Sequence, residues 1–167
     1  MITIRKITPS DDRLEISNIY EQAWKTAYAG IVPQDFLDSL EKGSWASKVD
    51  RPGWNTLVVD LDGKLIGTSS YCKSRFEEYP DVGEIISIYF LPEYRRKGYG
   101  KQLLAAAVEG LASMGYKEVF LWVIEENKNA RKFYESQGFT RADGEMETAP
   151  GGKTLKEIRY RLFLEEK

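Results

Sequence analysis

The sequence predicts an α/β fold of the α+β kind, a central mixed, twisted sheet with helices on both faces. Two observations carry that expectation. Segments with strand-like patterning alternate with segments of helical period in the order β-α-α-β-β-β-α-β-α-β-β, which mixes hairpins with one strand–helix–strand crossover. Apolar residues make up 42% and charged residues 30% of 167 residues, with Tyr, Phe and Trp spread throughout and no Pro/Gly/Ser linker, so residues 1–167 read as a single packed domain rather than two, or a disordered chain.

Each element has its own signal. Ile2, Ile4 and Ile7 bracket an opening strand. Asp11 or Asp12 can cap the helix that follows, because a carboxylate there accepts from unpaired backbone donors. Leu14, Ile16, Ile19, Tyr20, Ala23, Trp24 and Ala27 recur at helical spacing until Gly30. Pro33 opens a second helix bearing Phe36, Leu37 and Leu40. Trp54 to Asp60 is β-rich, Asp62-Gly63 is a hairpin turn, and Lys64 to Cys72 returns. Gly83 to Leu91 reads as a strand buried on both faces. Gly98 to Gly115 is a helix with Leu103, Leu104, Ala107, Val108, Leu111 and Met114 on one stripe. Glu118 to Ile124 is another buried strand, and Asn127 to Gln137 a short helix ended by Gly138. Phe139 opens a strand of undefined extent, and Thr154 to Leu164 forms the last, with Ile158, Tyr160 and Leu162 alternating.

Composition removes several chemistries. The chain has no histidine, which excludes Ser-His-Asp and Cys-His mechanisms and any His-ligated metal; no metal is expected. Its one cysteine, Cys72, excludes intramolecular disulfides and reads as an inert packed thiol. With 24 Lys and Arg against 26 Asp and Glu the net charge is −2, a poor balance for binding nucleic acid or an anionic membrane. The N-terminus lacks the apolar core of a signal peptide and no apolar run is long enough to span a bilayer, so the cytoplasm is the expected location.

The most informative segment is Leu91-Pro92-Glu93-Tyr94-Arg95-Arg96-Lys97-Gly98-Tyr99-Gly100-Lys101. Four cations fall in seven residues, and two glycines lie between a buried strand and an amphipathic helix. Unpaired N–H groups and the positive end of the dipole at the helix start make an anion site suited to a pyrophosphate. No Ser or Thr follows Gly100-Lys101, so it is not a nucleotide-triphosphate loop; Leu103 stands where a dinucleotide fingerprint needs a third glycine. The bland alternative is a solvated basic turn.

Arg95-x-x-Gly98-x-Gly100 resembles the acyl-CoA-binding motif of the GNAT superfamily of N-acetyltransferases, Gln/Arg-x-x-Gly-x-Gly/Ala. Asn127-Lys128-Asn129-Ala130-Arg131-Lys132-Phe133-Tyr134-Glu135-Ser136-Gln137-Gly138-Phe139 resembles the superfamily's Asn-x-x-Ala-x-x-x-Tyr-x-x-x-Gly-Phe pattern. The two occur in the family's order and spacing. The resemblance covers about residues 83 to 140; the N-terminal half agrees in element order only, plus a Trp24…Tyr28…Pro33 run seen in several small acetyltransferases.

The resemblance implies a GNAT-like acyl-CoA N-acyltransferase fold, acetyl-CoA as cosubstrate and a set of roles. Ile88, Tyr89 and Phe90 match the strand whose backbone pairs with the pantetheine arm, and a backbone N–H near Tyr89 or Phe90 would serve as oxyanion donor. Arg95 opens the motif, and Arg96, Lys97, Gly98, Tyr99, Gly100 and Lys101 match the pyrophosphate loop. Asn127 matches an asparagine that contacts the pantetheine region, and can equally cap its helix. Tyr134 matches the tyrosine near the thioester sulfur that often serves as general acid, and can equally be packing. Trp24 and Tyr28 are either core or lining of the acceptor pocket.

Glu84, eleven residues before Arg95, is the expected general base, since histone acetyltransferases of the superfamily place a glutamate at similar spacing. Other members place theirs on the following strand, where this chain has Trp122. The alternative for Glu84 is a strand-end carboxylate paired with a Lys or Arg.

The activity implied is acetyl transfer to a primary amine of a small molecule, or of a protein N-terminus or lysine, by direct attack in a ternary complex. A non-catalytic acyl-CoA-binding sensor or assembly module is the alternative; only the enzyme needs an acid, a base and an acceptor cleft. The partner is thus a small-molecule or peptide amine, with no nucleic acid and no membrane, and sheet-edge contacts of look-alikes make a homodimer a candidate assembly.

Overall fold

The computed structural model describes residues 1–164. Its elements are β1 (Ile2–Lys6), α1 (Arg13–Ala27), α2 (Gln34–Asp38), β2 (Asn55–Leu61), β3 (Lys64–Lys73), β4 (Gly83–Phe90), α3 (Tyr99–Ser113), β5 (Glu118–Ile124), α4 (Lys128–Ser136), β6 (Thr140–Thr148) and β7 (Leu155–Phe163). The order is the one the sequence predicts. Local chemistry accounts for the boundaries: the Asp12 carboxylate accepts from the Leu14 N–H at 2.9 Å to start α1, and Asp62 and Gly63, both at positive φ, turn the β2–β3 hairpin. The strand after Phe139 begins at Thr140, with Phe139 itself buried just before it.

The seven strands form one mixed sheet in the order β1-β2-β3-β4-β5-β7-β6. Every neighbouring pair is antiparallel except β4 and β5, the two joined by the α3 crossover. Helices cover both faces. A Cβ at Gly110 of α3 would fall 2.2 Å from the Tyr71 hydroxyl, so α3 lies against that face. Ser70, the next residue along β3, points the other way, where its N–H donates to Ser87 Oγ (3.1 Å), itself 3.1 Å from the Tyr20 hydroxyl of α1. The core between α3 and the sheet includes Leu103, Leu104, Ala107, Leu111, Val119 and Leu121, all buried. A second cluster of Val32, Leu37, Ile124 and Leu155 lies under α1 and α2.

Two departures from regular pairing shape the middle of the sheet. The β3–β4 register pairs Ser70 with Ser87 but Tyr71 with Ile85, so Ile86 is an extra, bulged residue. The parallel β4–β5 ladder consists of Gly83–Val119 and Glu84–Phe120 alone. Beyond Glu84 the strands diverge: β5 stays paired with β7 along its whole length, and β4 with β3. The bulge bends β4 away where the gap opens.

Candidate active site

The gap between β4 and β5 opens into a cleft of about 680 Å³. Its walls come from the diverging halves of the two strands (Ile86–Phe90 and Trp122–Ile124), α1 (Ala23, Thr26, Ala27, Tyr28), the loop and first turn of α3, α4, and Glu157 of β7. The Leu91 N–H donates to the Ile66 carbonyl at 2.9 Å. Alternation along the strand then turns the N–H and C=O groups of Phe90 and Ile88 toward the gap, where β5 no longer pairs with them. The side chains of Ile88 and Phe90 belong to the core; Phe90 stacks on Tyr99 with ring centroids 6.4 Å apart.

One end of the cleft is built for an anion. Gly98 holds φ +81 as the residue before α3. A left-handed residue there turns the chain sharply enough for the helix to begin facing the cleft. No side chain caps α3 and its first turn carries no acidic residue, so its leading N–H groups and dipole are left to whatever occupies the cleft. Arg95, Arg96 and Lys101, from the loop and first turn of α3, line the cleft beside them, as does Lys132 of α4. This is a donor set that fits a pyrophosphate. Two residues of the loop stand apart: the Lys97 ammonium lies 5.6 Å from the Tyr94 ring, and Tyr99 packs on Phe90; neither lines the cleft. Gly100 is close to α4, where a Cβ would meet Phe133 at 3.5 Å, ordinary contact.

Asn127 lines the cleft and also caps α4, its Oδ1 accepting from the Ala130 N–H at 3.2 Å. Tyr134, from the same helix, lines the cleft beside Tyr89 and packs on Phe139 at 5.9 Å between centroids. Burial, reinforced by Tyr89, pushes the Tyr134 hydroxyl well above the usual phenol range. Burial likewise raises Tyr89 to about 12 and Tyr28 well above the usual phenol value, the two hydroxyls lying close enough to influence one another. All three phenols therefore stay protonated at neutral pH. Of the two α1 aromatics, Tyr28 lines the cleft. Trp24 does not; it packs among Tyr28, Phe36 and Trp45 at 4.7, 6.3 and 5.7 Å.

Glu84 corrects the expectation placed on it. Its side chain is 1% exposed and lies outside the cleft, at the closed end of the β4–β5 ladder. Both carboxylate oxygens are committed to Arg75: Oε1 accepts from the backbone N–H (3.0 Å) and Nε (3.1 Å), and Oε2 from Nη2 at 2.6 Å. A carboxylate so engaged cannot take a proton from an amine in the cleft without breaking the pair.

The carboxylate that does line the cleft is Glu157, which sequence reasoning missed. It pairs across from Ile124 in the β5–β7 ladder, which puts it diagonal to Trp122 on one face. Burial raises its pKa above the usual carboxylate range, with the more distant Arg75 charge opposing. The available signal was the strand's own alternation: Ile158 and Tyr160 facing the α3 core place Glu157 and Arg159 on the opposite, α1 side. Cys72 is buried, does not line the cleft, and has its thiol pushed up to about 11, so it supplies no thiolate.

Comparison with known proteins shows the family. Residues 14–139 match the model of the acetyltransferase (GNAT) family. The chain is 33% identical over 161 residues to YuaI of Bacillus subtilis, described as an uncharacterized N-acetyltransferase, covering 95% of this chain and 91% of that one. It is 26% identical over 170 residues to the probable N-acetyltransferase Rv2775 of Mycobacterium tuberculosis (97% and 94% covered), and 26% identical over 168 residues to the spermidine N(1)-acetyltransferase of Thermoplasma acidophilum (95% and 98%). The fold superposes on the PaiA N-acetyltransferase of Thermoplasma acidophilum, solved in complex with coenzyme A, with a TM-score of 0.75 at 24% identity, covering 98% and 99% of the two chains. Among the described residues no helix is long and apolar enough to cross a membrane. The chain belongs to the GNAT family and is an acetyl-CoA-dependent acetyltransferase.

Proposed function

We propose that the chain transfers an acetyl group from acetyl-CoA to a primary amine by direct attack within a ternary complex, with Glu157 as general base and Tyr134 as the proton donor to the leaving thiolate. The observation that carries this reading is the convergence, in one cleft, of a cationic helix start, unpaired strand backbone, a carboxylate of raised pKa and buried phenols.

In this reading the pyrophosphate rests on the first turn of α3 with Arg95, Arg96 and Lys101, while the exposed edge of β4 at Ile88 and Phe90 aligns the pantetheine arm. Asn127 lies along that arm. The acceptor enters from the side of Tyr28 and Glu157. Glu157, poorly solvated in the cleft, removes a proton from the ammonium. The amine nitrogen then bonds to the thioester carbon, and a β4 N–H steadies the oxyanion. The C–S bond breaks as the sulfur takes the Tyr134 proton, and the nitrogen's second proton passes to the tyrosinate or to solvent, leaving a neutral amide and a thiol. Alignment of the two reactants supplies the largest share of the acceleration. Burial keeps the Tyr134 hydroxyl protonated at neutral pH, so its proton is in place when the sulfur leaves.

Free-thiol release measured over a broad panel of amines tests the reading. Intersecting initial-velocity patterns against both substrates are expected. Parallel lines, the sign of an acyl-enzyme, or no amine-dependent release would overturn it.

A further inference from the structure

Resting on that reading, we infer that the acceptor is a small primary amine carrying one positive charge on an apolar body, and not a polyamine. The charged residues lining the cleft divide sharply. The cations come from the loop and first turn of α3 (Arg95, Arg96, Lys101) and from α4 (Lys132), and Glu157 is the single carboxylate among the described lining residues. The other lining residues on α1, on β4 at Ile86 and Ser87, and on β5 are uncharged, most of them apolar or aromatic (Ala23, Ala27, Tyr28, Ile86, Trp122 and Ile124), with Thr26 and Ser87 the polar exceptions.

One ammonium finds a partner in this arrangement. It meets Glu157, surrenders a proton to it, and its carbon body lies against aromatic faces, which also favour a cation at close range. A second or third ammonium on the same molecule finds none. Deeper in the cleft it meets the acyl-CoA and the cations that hold its pyrophosphate. Against the walls it loses hydration with no carboxylate in exchange, a cost that buried unpaired charge always carries. The nearby Glu84 offers no relief, because Arg75 holds both its oxygens. The acceptor end thus differs in chemistry from what a polycation needs, whatever relatives acetylate.

The test is a competition read as a ratio of kcat/KM values. Phenethylamine and isoamylamine are compared with spermidine and an aminoglycoside, at fixed saturating acetyl-CoA. The expected result is a preference of at least about tenfold for the monoamines, as desolvation of one unpaired charge demands. A variant probes the cause. Trp122→Glu sets another carboxylate diagonal to Glu157, and should lower the monoamine-to-spermidine ratio by about tenfold or more. Equal or greater kcat/KM for spermidine in the unmodified protein overturns the inference, and this holds whether or not Trp122→Glu folds. A folded Trp122→Glu protein with an unchanged ratio overturns it too. Absence of CoA release with every amine would instead defeat the acetyl-transfer reading on which it rests.

Discussion

The two ends of the β4–β5 pairing are the same two strands put to opposite uses. At the closed end, Gly83 and Glu84 face Val119 and Phe120 in a normal parallel ladder, and Glu84 is neutralised by three hydrogen bonds from Arg75. At the open end, past the Ile86 bulge, the ladder is gone, backbone groups of β4 are exposed to a cleft, and the carboxylate present, Glu157, is desolvated rather than satisfied. A fold stabilises itself at one end by pairing everything and leaves the other end unpaired so that substrates can complete it. Carboxylates on one face of one sheet take opposite roles because of what surrounds them, not because of residue type.

That contrast is most easily broken at Glu157. Glu157→Gln should lower turnover by about 10²–10⁴-fold at neutral pH, the range of a lost general base. The deficit should shrink at alkaline pH, where the acceptor is already a free amine. The stability consequence runs the other way. A carboxyl whose folded pKa is raised favours folding below its unfolded pKa, near 4.5, and that advantage is lost as pH rises through the folded value. At neutral pH the wild-type carboxylate is therefore a liability that Gln removes. Thermal melts should show Glu157→Gln at or above wild-type stability at pH 7, with the difference disappearing below about pH 4. A mutant that is both active and less stable would make Glu157 an ordinary structural residue.

Tyr134 sharpens the same comparison from the other wall. Tyr134→Phe keeps the ring and its packing on Phe139, and removes only the hydroxyl. Turnover should fall by about 10²-fold, with acetyl-CoA affinity, measured by isothermal titration, within a few-fold of wild type. Unchanged turnover would reduce Tyr134 to packing.

The closed end and the open end were not equally legible in the sequence. The element order, the α1 cap at Asp12, the hairpin at Asp62-Gly63 and the loop into α3 rest on contacts within a few residues, and such signals survive in a linear reading. The cleft itself was not legible, because it depends on a bulge at Ile86 that no Gly or Pro marks, and on a ladder that stops after two pairs. Glu84 looked poised because its spacing to Arg95 is visible and its engagement by a loop arginine is not. Glu157 escaped notice because β7 was read for the residues it sends into the α3 core, while the face bearing Glu157 acquires meaning only when β5 and α1 lie beside it.

Glu84 gives the converse experiment. Glu84→Gln removes the charge that holds Arg75 while keeping the shape. Because Arg75 is 43% exposed and can turn toward water, the loss should be about 1–3 kcal/mol rather than that of a fully buried pair. Chemical denaturation would measure it. The turnover number at a temperature where the mutant is folded should stay within about threefold of wild type, the scale on which substitutions away from the chemistry act. A loss comparable to that of Glu157→Gln, with stability intact, would return the base to β4.

The last effect concerns Gly98, and its reason lies in the backbone. A Cβ built there meets no heavy atom within 4 Å, so the protein itself has room for a side chain. What a side chain meets is φ +81, a conformation that costs an L-residue about 1–2 kcal/mol, and the open lip of the cleft where the pyrophosphate is to lie on the α3 N–H groups. Gly98→Ala should therefore fold with slightly reduced stability. Gly98→Val, bulkier and stiffer at χ1, should raise KM for acetyl-CoA at least about tenfold while the acceptor KM stays near wild type. The split between the two constants is the informative readout, because it assigns the helix start to the cofactor and the Glu157 end to the amine. Equal changes in both would mean that the two ends of the cleft are not independent, and that the turn at Gly98 sets the shape of the whole cleft rather than one of its subsites.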